Sequence, residues 1–186
     1  MTTSFRDHFQ AHRDAVDRSV ASLEAQVDSA GKALAQALKS GAKVLTFGNG
    51  GSSAEAGHLA EELVGRFRKT RRPFPAMSLS ADSGAVTCIS NDFGYEALFE
   101  RQIEAFAQRG DVAVALTTSG KSANVIRGLR AAKSRGAVTI ALTGSAGLDG
   151  AEADHLLAVP SDDSAIVQEV HLILIHLFCI AVDDIA

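Results

Sequence analysis

The sequence predicts an α/β protein: a three-layer, doubly wound parallel sheet preceded by a helical N-terminal extension. Two observations carry this expectation. Five short runs, "KVLTF" (43–47), "PAMSLS" (75–80), "VAVALT" (112–117), "VTIAL" (138–142) and "HLLAVP" (155–160), are rich in β-branched or aliphatic residues and mostly lack polar alternation. Such runs suit strands covered on both faces. Helix-like segments at 52–68, 95–108, 122–135 and 166–182 lie between or after them, and strands alternating with helices imply parallel βαβ units.

Ahead of the first strand, Phe9, Val16, Val20, Leu23 and Val27 step by seven, four, three and four residues, which is helical periodicity. A second helical piece, 32–39, stops at Gly41. No repeat, low-complexity tract or linker interrupts the rest, so residues 1–186 read as one domain, with 1–40 as an extension used in oligomer packing. The stripe on the first helix and the nearly all-round apolar last helix exceed what one small sheet can cover, and this points to a homo-oligomer.

The composition excludes several classes. A net charge of -4 from 22 acidic and 18 basic side chains leaves no basic footprint for nucleic acid. The one basic cluster, "RFRKTR" (66–71), reads as a solvated loop after a helix, with an anion contact by Arg66 as the sharper alternative. Cys88 and Cys179 sit in apolar surroundings without metal-type spacing, so both are expected to be buried free thiols in a reducing compartment. The N-terminus lacks a signal-peptide core, and the apolar run 172–182 falls short of the roughly 20 residues that span a bilayer. A cytosolic protein without a membrane partner is expected.

In open parallel sheets ligands bind beyond the carboxyl ends of the strands. The turn "GNGGSS" (48–53) after the first strand lets backbone N–H groups approach a ligand. It is not the dinucleotide fingerprint, which needs glycine where Ser53 stands, and Ser52 or Ser53 could cap the next helix. The turn "TTSGKS" (117–122) resembles the end of a P-loop, but Ala115 occupies the place of the opening glycine. What remains is a cluster of hydroxyls, Thr117, Thr118, Ser119 and Ser122, at a helix N-terminus. That arrangement suits an anion, with phosphate the best fit.

Four blocks, "FGNGGSSAEAGHLAEELVGRFR", "ISNDFGYEALFERQ", "GDVAVALTTSGKSANVI" and "IVQEVHLILIH", in this order and spacing, resemble the phosphoheptose isomerases of the sugar isomerase (SIS) fold. The resemblance covers residues 41–176. It implies isomerisation of D-sedoheptulose 7-phosphate to D-glycero-D-manno-heptose 7-phosphate in a homotetramer with sites at subunit boundaries. It also implies sugar contacts by Asn49, Gly50, Gly51, Asn91 and Asp92, and a phosphate loop of Thr117, Thr118, Ser119 and Ser122. Thr117 stands where the family commonly has serine. The family's metal and catalytic positions fall on His58, Glu62, Gln168 and His176, with Gln168 counted for substrate as well.

His58 and Glu62, four residues apart, lie on one helix face and can share a ligand, whereas Glu61 points away toward solvent. Gln168 and His176 are eight apart, about 12 Å of helical rise, so spacing alone does not force one shared site. Two histidines, a carboxylate and an amide oxygen suit zinc, one ion per subunit. Glu62 and His176 are the expected acid/base pair. His171, on the same apolar helix, reads as a satisfied core histidine. Alternatives are a non-catalytic relative resembling the replication-initiator-associating protein, which typically lacks this Glu and His, and an isomerase for another phosphosugar.

Overall fold

The computed structural model describes residues 4–185. A 35-residue helix, α1 (Phe5–Lys39), opens the fold. Ser4 caps it by accepting the Asp7 amide while the Asp7 carboxylate takes the Ser4 amide, a reciprocal capping box. The two helical pieces expected from the sequence are therefore one, with buried Ala30, Gly31 and Leu34 carrying the inner face through the junction.

There follow β1 (Val44–Gly48), α2 (Gly51–Val64), β2 (Ala76–Ser78), α3 (Ser83–Phe93), a short 3-10 turn (Tyr95–Ala97), α4 (Leu98–Phe106) and β3 (Val112–Thr117). The chain closes with α5 (Ala123–Ser134), β4 (Val138–Thr143), β5 (His155–Ala158) and α6 (Ser164–Asp183). All five strands are parallel in the order β2-β1-β3-β4-β5.

The runs that lacked alternation are explained by burial on both faces. Val44, Val112, Val114, Leu116, Ile140 and Leu142 point into a core with α1, α2 and α6. Leu45, Phe47, Ala113, Ala115 and Ala141 point the other way, into a core with α4 and α5. The small alanines on the second face admit a close helix: a Cβ on Gly128 of α5 would lie 2.9 Å from the rings or stems of Phe47 and Phe99.

Several expectations change. Residues 83–93 lie outside the helices expected from the sequence and form α3; its β-branched and small residues have weak helix propensity, and only Val86 and Ile89 lean, partly buried, on the second core. Asp82 starts it by accepting the amides of Gly84 and Ala85. Cys88 is consequently exposed, with Sγ 3.6 Å from Asp92 Oδ2, and only Cys179 is a buried thiol, its pKa pushed up to about 12 by burial. α2 ends at Val64 rather than residue 68. Among the described residues α6 is the one helix long and apolar enough to cross a membrane, longer than its purely apolar run suggested, but half of it is buried within the protein.

The loop after α2 is not simply a solvated basic stretch. Arg66 is exposed, but Arg71 and Asp183 form an ion pair at 2.9 Å with both side chains almost wholly buried. Arg71 also donates to the carbonyls of Glu62 and Leu63, closing the carboxyl end of α2. Asp183 accepts the amides of Arg68 and Lys69, so the loop is stapled to the end of α6.

Candidate active site

The strand order reverses direction between β1 and β3, and open sheets of this order bind ligands in the crevice at that point. Gly48 pairs with Leu116 and Thr117 with Thr143, so the turns leaving β1, β3 and β4 emerge at one edge. Both turns singled out in the sequence flank this crevice.

The first turn is built without side chains because nothing else fits. A Cβ on Gly48 would lie 2.8 Å from the carbonyl oxygens of Leu116 and Ser52, and Gly50 adopts φ +56°. Gly50 is the N-cap of α2 and no side chain caps it, so the serine cap expected at 52 or 53 does not form; Ser52 is buried instead. Asn49 is held by a reciprocal amide pair with Asn124 of α5, each Nδ2 donating to the other's Oδ1 at 2.9 Å. Tyr95 adds a hydroxyl donated to Asn49 Oδ1 at 2.8 Å. Asn124 and Tyr95 went unremarked in the sequence because their role depends on a contact across the crevice.

The second turn is equally constrained. Gly120 has φ +66°, and a Cβ there would collide with the carbonyl of Gly147. Thr117 Oγ1 accepts the Gly120 amide at 3.2 Å and lies 3.4 Å from Ser122 Oγ. Ser119 Oγ accepts the Lys121 amide, and Thr118 Oγ1 meets Ser164 Oγ, at the start of α6, at 3.1 Å. Ser122 is the N-cap of α5 but makes no side-chain capping bond. The expected hydroxyls thus converge on one loop at a helix N-terminus, a geometry suited to an anion.

The third component lies between α2 and α6. His58 Nε2 and His176 Nε2 are 3.1 Å apart, and Glu62 Oε1 is 3.6 Å from His58 Nε2. Among the described residues these three form the group whose ligand atoms all fall within 4.8 Å of one another. A tetrahedral ion with Zn–N near 2.05 Å needs ligand atoms about 3.3 Å apart, so the nitrogens present stand close to the required spacing. Glu61, largely exposed as expected, brings Oε1 to 3.3 Å from His58 Nδ1. That contact would hold the proton on Nδ1 and leave Nε2 free to ligate. Phe67 stacks on His176 with ring centroids 5.3 Å apart.

Gln168 is the expected member that the structure does not bring to this cluster. Its carboxamide lies against Gly51, where an added Cβ would strike it, two helical turns from His176. Asn91 and Asp92 sit at the exposed end of α3, where Asn91 Nδ2 donates to Asp92 Oδ1 at 2.7 Å. His171 is buried and its Nε2 lies 3.2 Å from the Thr143 carbonyl, as a core histidine should, yet its Nδ1 has no partner.

A parallel sheet of this order, with a hydroxyl-lined loop beside a glycine turn, fits a sugar-isomerase-type α/β protein, and the SIS domain family model matches residues 7–144, which places the chain in that class. Within that class, the chain belongs to the phosphoheptose isomerase family. It is 52% identical over 159 residues to the phosphoheptose isomerase of Aquifex aeolicus, covering 85% of this chain and 83% of that one. It is 39% identical over 188 residues to that of Aliarcobacter butzleri, covering 99% and 98%. Among solved structures, the phosphoheptose isomerase from Francisella tularensis superposes with a TM-score of 0.92 at 32% identity, covering 96% of each chain. The one from Neisseria gonorrhoeae superposes with a TM-score of 0.86 at 37% identity, covering 95% of each.

Proposed function

We propose that the protein is an aldose–ketose isomerase converting D-sedoheptulose 7-phosphate to D-glycero-D-manno-heptose 7-phosphate, the first step toward nucleotide-activated heptose. The observation that carries this reading is the meeting of Glu62 and His176 beside His58, within a fold that also presents a hydroxyl-rich anion loop. Isomerisation moves one proton between C1 and C2 through an enediol or enediolate and another between the two oxygens. Glu62 and His176 serve as the acid/base pair. Thr117, Thr118, Ser119 and Ser122 hold the phosphate, so that remote binding energy places the reacting carbons. Asn49, Gly50, Gly51 and Gln168 face the sugar.

His58, Glu62 and His176 would hold zinc. Bound there, the ion would supply polarisation of the substrate carbonyl. Conversion of sedoheptulose 7-phosphate to an aldose is the direct assay. Turnover is expected to fall at least tenfold in chelator and to return with added zinc. No aldose under any metal condition would remove the isomerase reading. Turnover unchanged by chelator, in protein shown to be metal-free, would remove the metal.

The assembly is proposed to be a homotetramer in the cytoplasm. Support comes from the exposed apolar residues Val20 on α1 and Ile173 and Leu177 on α6, which together line one groove. Asn91 and Asp92, exposed on α3, would then meet substrate across a subunit boundary. Size-exclusion with light scattering at micromolar concentration is expected to give about four times the 19.4 kDa chain mass. A clean monomer would contradict it.

A further inference from the structure

Gly51, Glu55, His58 and Glu62 follow one another at i, i+4, i+7 and i+11, so they line one face of α2. That face meets α6 in three places. Gln168 lies on Gly51 at the sugar turn, and His176 meets His58 and Glu62 at the far end. Between them His171 Nδ1 faces Glu55 Oε2 at 3.9 Å. Both atoms are buried, and neither has a hydrogen-bond partner. Two orphaned polar atoms facing each other in a buried seam, each costly to leave unpaired, are a bond awaiting a small closure.

The protonation state follows from the far side of the ring. His171 Nε2 contacts the Thr143 carbonyl, which can only accept, so Nε2 carries the hydrogen. In a neutral ring Nδ1 is then a lone-pair acceptor, and only a protonated carboxyl can satisfy it. The alternative, imidazolium against carboxylate, would bury two charges with only the Ser52 hydroxyl beside the carboxylate to offset their lost hydration. Burial pushes Glu55 up to about 7, against the pull of a hydrogen bond from Ser52, and pushes His171 down to about 4 despite its bond to Thr143. Both directions favour the neutral pair. The other titratable groups on this seam are His58 and Glu62, one and two turns along α2, and His176 on α6.

We propose that Glu55 is a positioning residue of the isomerase site, acting as an uncharged acid that donates to His171 and holds α2 and α6 in the register that lets His176 meet Glu62. This rests on the isomerase reading. Glu55 bonds neither to the anion loop nor to the three-residue cluster, so its effect on turnover passes through His171 and the helix pair.

The test compares Glu55→Gln, Glu55→Leu and the double variant Glu55→Leu with His171→Phe, each assayed well below its melting temperature. Gln can donate an amide hydrogen to Nδ1 and should keep kcat within about threefold of wild type. Leu should lower kcat tenfold or more while inhibition by inorganic phosphate, bound on β3 and α5, stays unchanged. The double variant should recover stability, because both polar groups are gone, without recovering kcat. Wild-type turnover of Glu55→Leu would overturn the proposal, and a Gln variant as slow as Leu would overturn the uncharged-acid assignment. If the wild type itself converts no sedoheptulose 7-phosphate, the isomerase reading fails separately. Histidine 15N NMR then decides the pairing: a Nε2–H tautomer with hydrogen-bonded Nδ1 in wild type and Gln, lost in Leu, is expected, and an imidazolium in wild type overturns it.

Discussion

Glu62→Gln is expected to lower kcat for sedoheptulose 7-phosphate by about 10²–10⁴-fold, the usual worth of a positioned acid or base. In barrier terms that is about 3–5 kcal/mol. The glutamine keeps the volume of a side chain that is only 15% exposed, but it cannot accept a proton. The hydroxyl-rich loop proposed to hold phosphate joins β3 to α5 and is not part of the substituted helix, so the inhibition constant for inorganic phosphate should not change. Metal content measured in parallel separates the two duties of the carboxylate. A loss of kcat with metal retained is a loss of proton transfer, whereas a loss that excess zinc repairs is a loss of ligation. Near-normal turnover would take Glu62 out of the mechanism.

Arg71→Met should be the most destabilising of the changes considered, at about 3–5 kcal/mol in denaturant unfolding, because it strands the buried Asp183 carboxylate. The pair is no ordinary surface bridge: the side chains are 3% and 4% exposed, and the guanidinium also satisfies the last carbonyls of α2. Turnover should drop as well, since one of those carbonyls is Glu62's own. A cost under about 1 kcal/mol would mean the pair is worth no more than an exposed one.

The same carboxylate shapes the acid limb. Burial raises the pKa of Asp183, but the amides of Lys69 and Arg68 and the Arg71 side chain outweigh it, and the net shift is downward. A depressed carboxylate contributes stability that is complete above its unfolded value, about 3.9, and lost as pH falls through the folded one. Asp183→Asn should therefore flatten the loss of stability below about pH 4.

The two turns and the strands behind them were legible in the residues because their constraints are local. Gly120 must be glycine, and the run 112–117 must be apolar on both faces wherever the chain places it. The family motifs likewise pointed to His58, Glu62 and His176. α3 was hidden because no residue of it is fully buried and only Val86 and Ile89 pack partly on the second core, so its periodic signal is much shorter than that of α1 or α5. Arg71 looked like one more solvated charge, and Cys88 like a core thiol, because exposure is a property of what lies opposite rather than of neighbours in sequence.

By itself, then, the sequence determined the layered parallel sheet, the two strand-end turns and the residue types of the proposed acid/base set. These follow from backbone conformation, periodic burial and side-chain chemistry, all of which act within a few residues. Only the tertiary structure decided that Gln168 sits against Gly51 while His176 joins His58, that Asn124 and Tyr95 fix Asn49, and that Glu55 faces His171. Each of those pairings joins residues tens of positions apart, and their distances are set by how α2 and α6 pack on the sheet, a packing spread over the whole core.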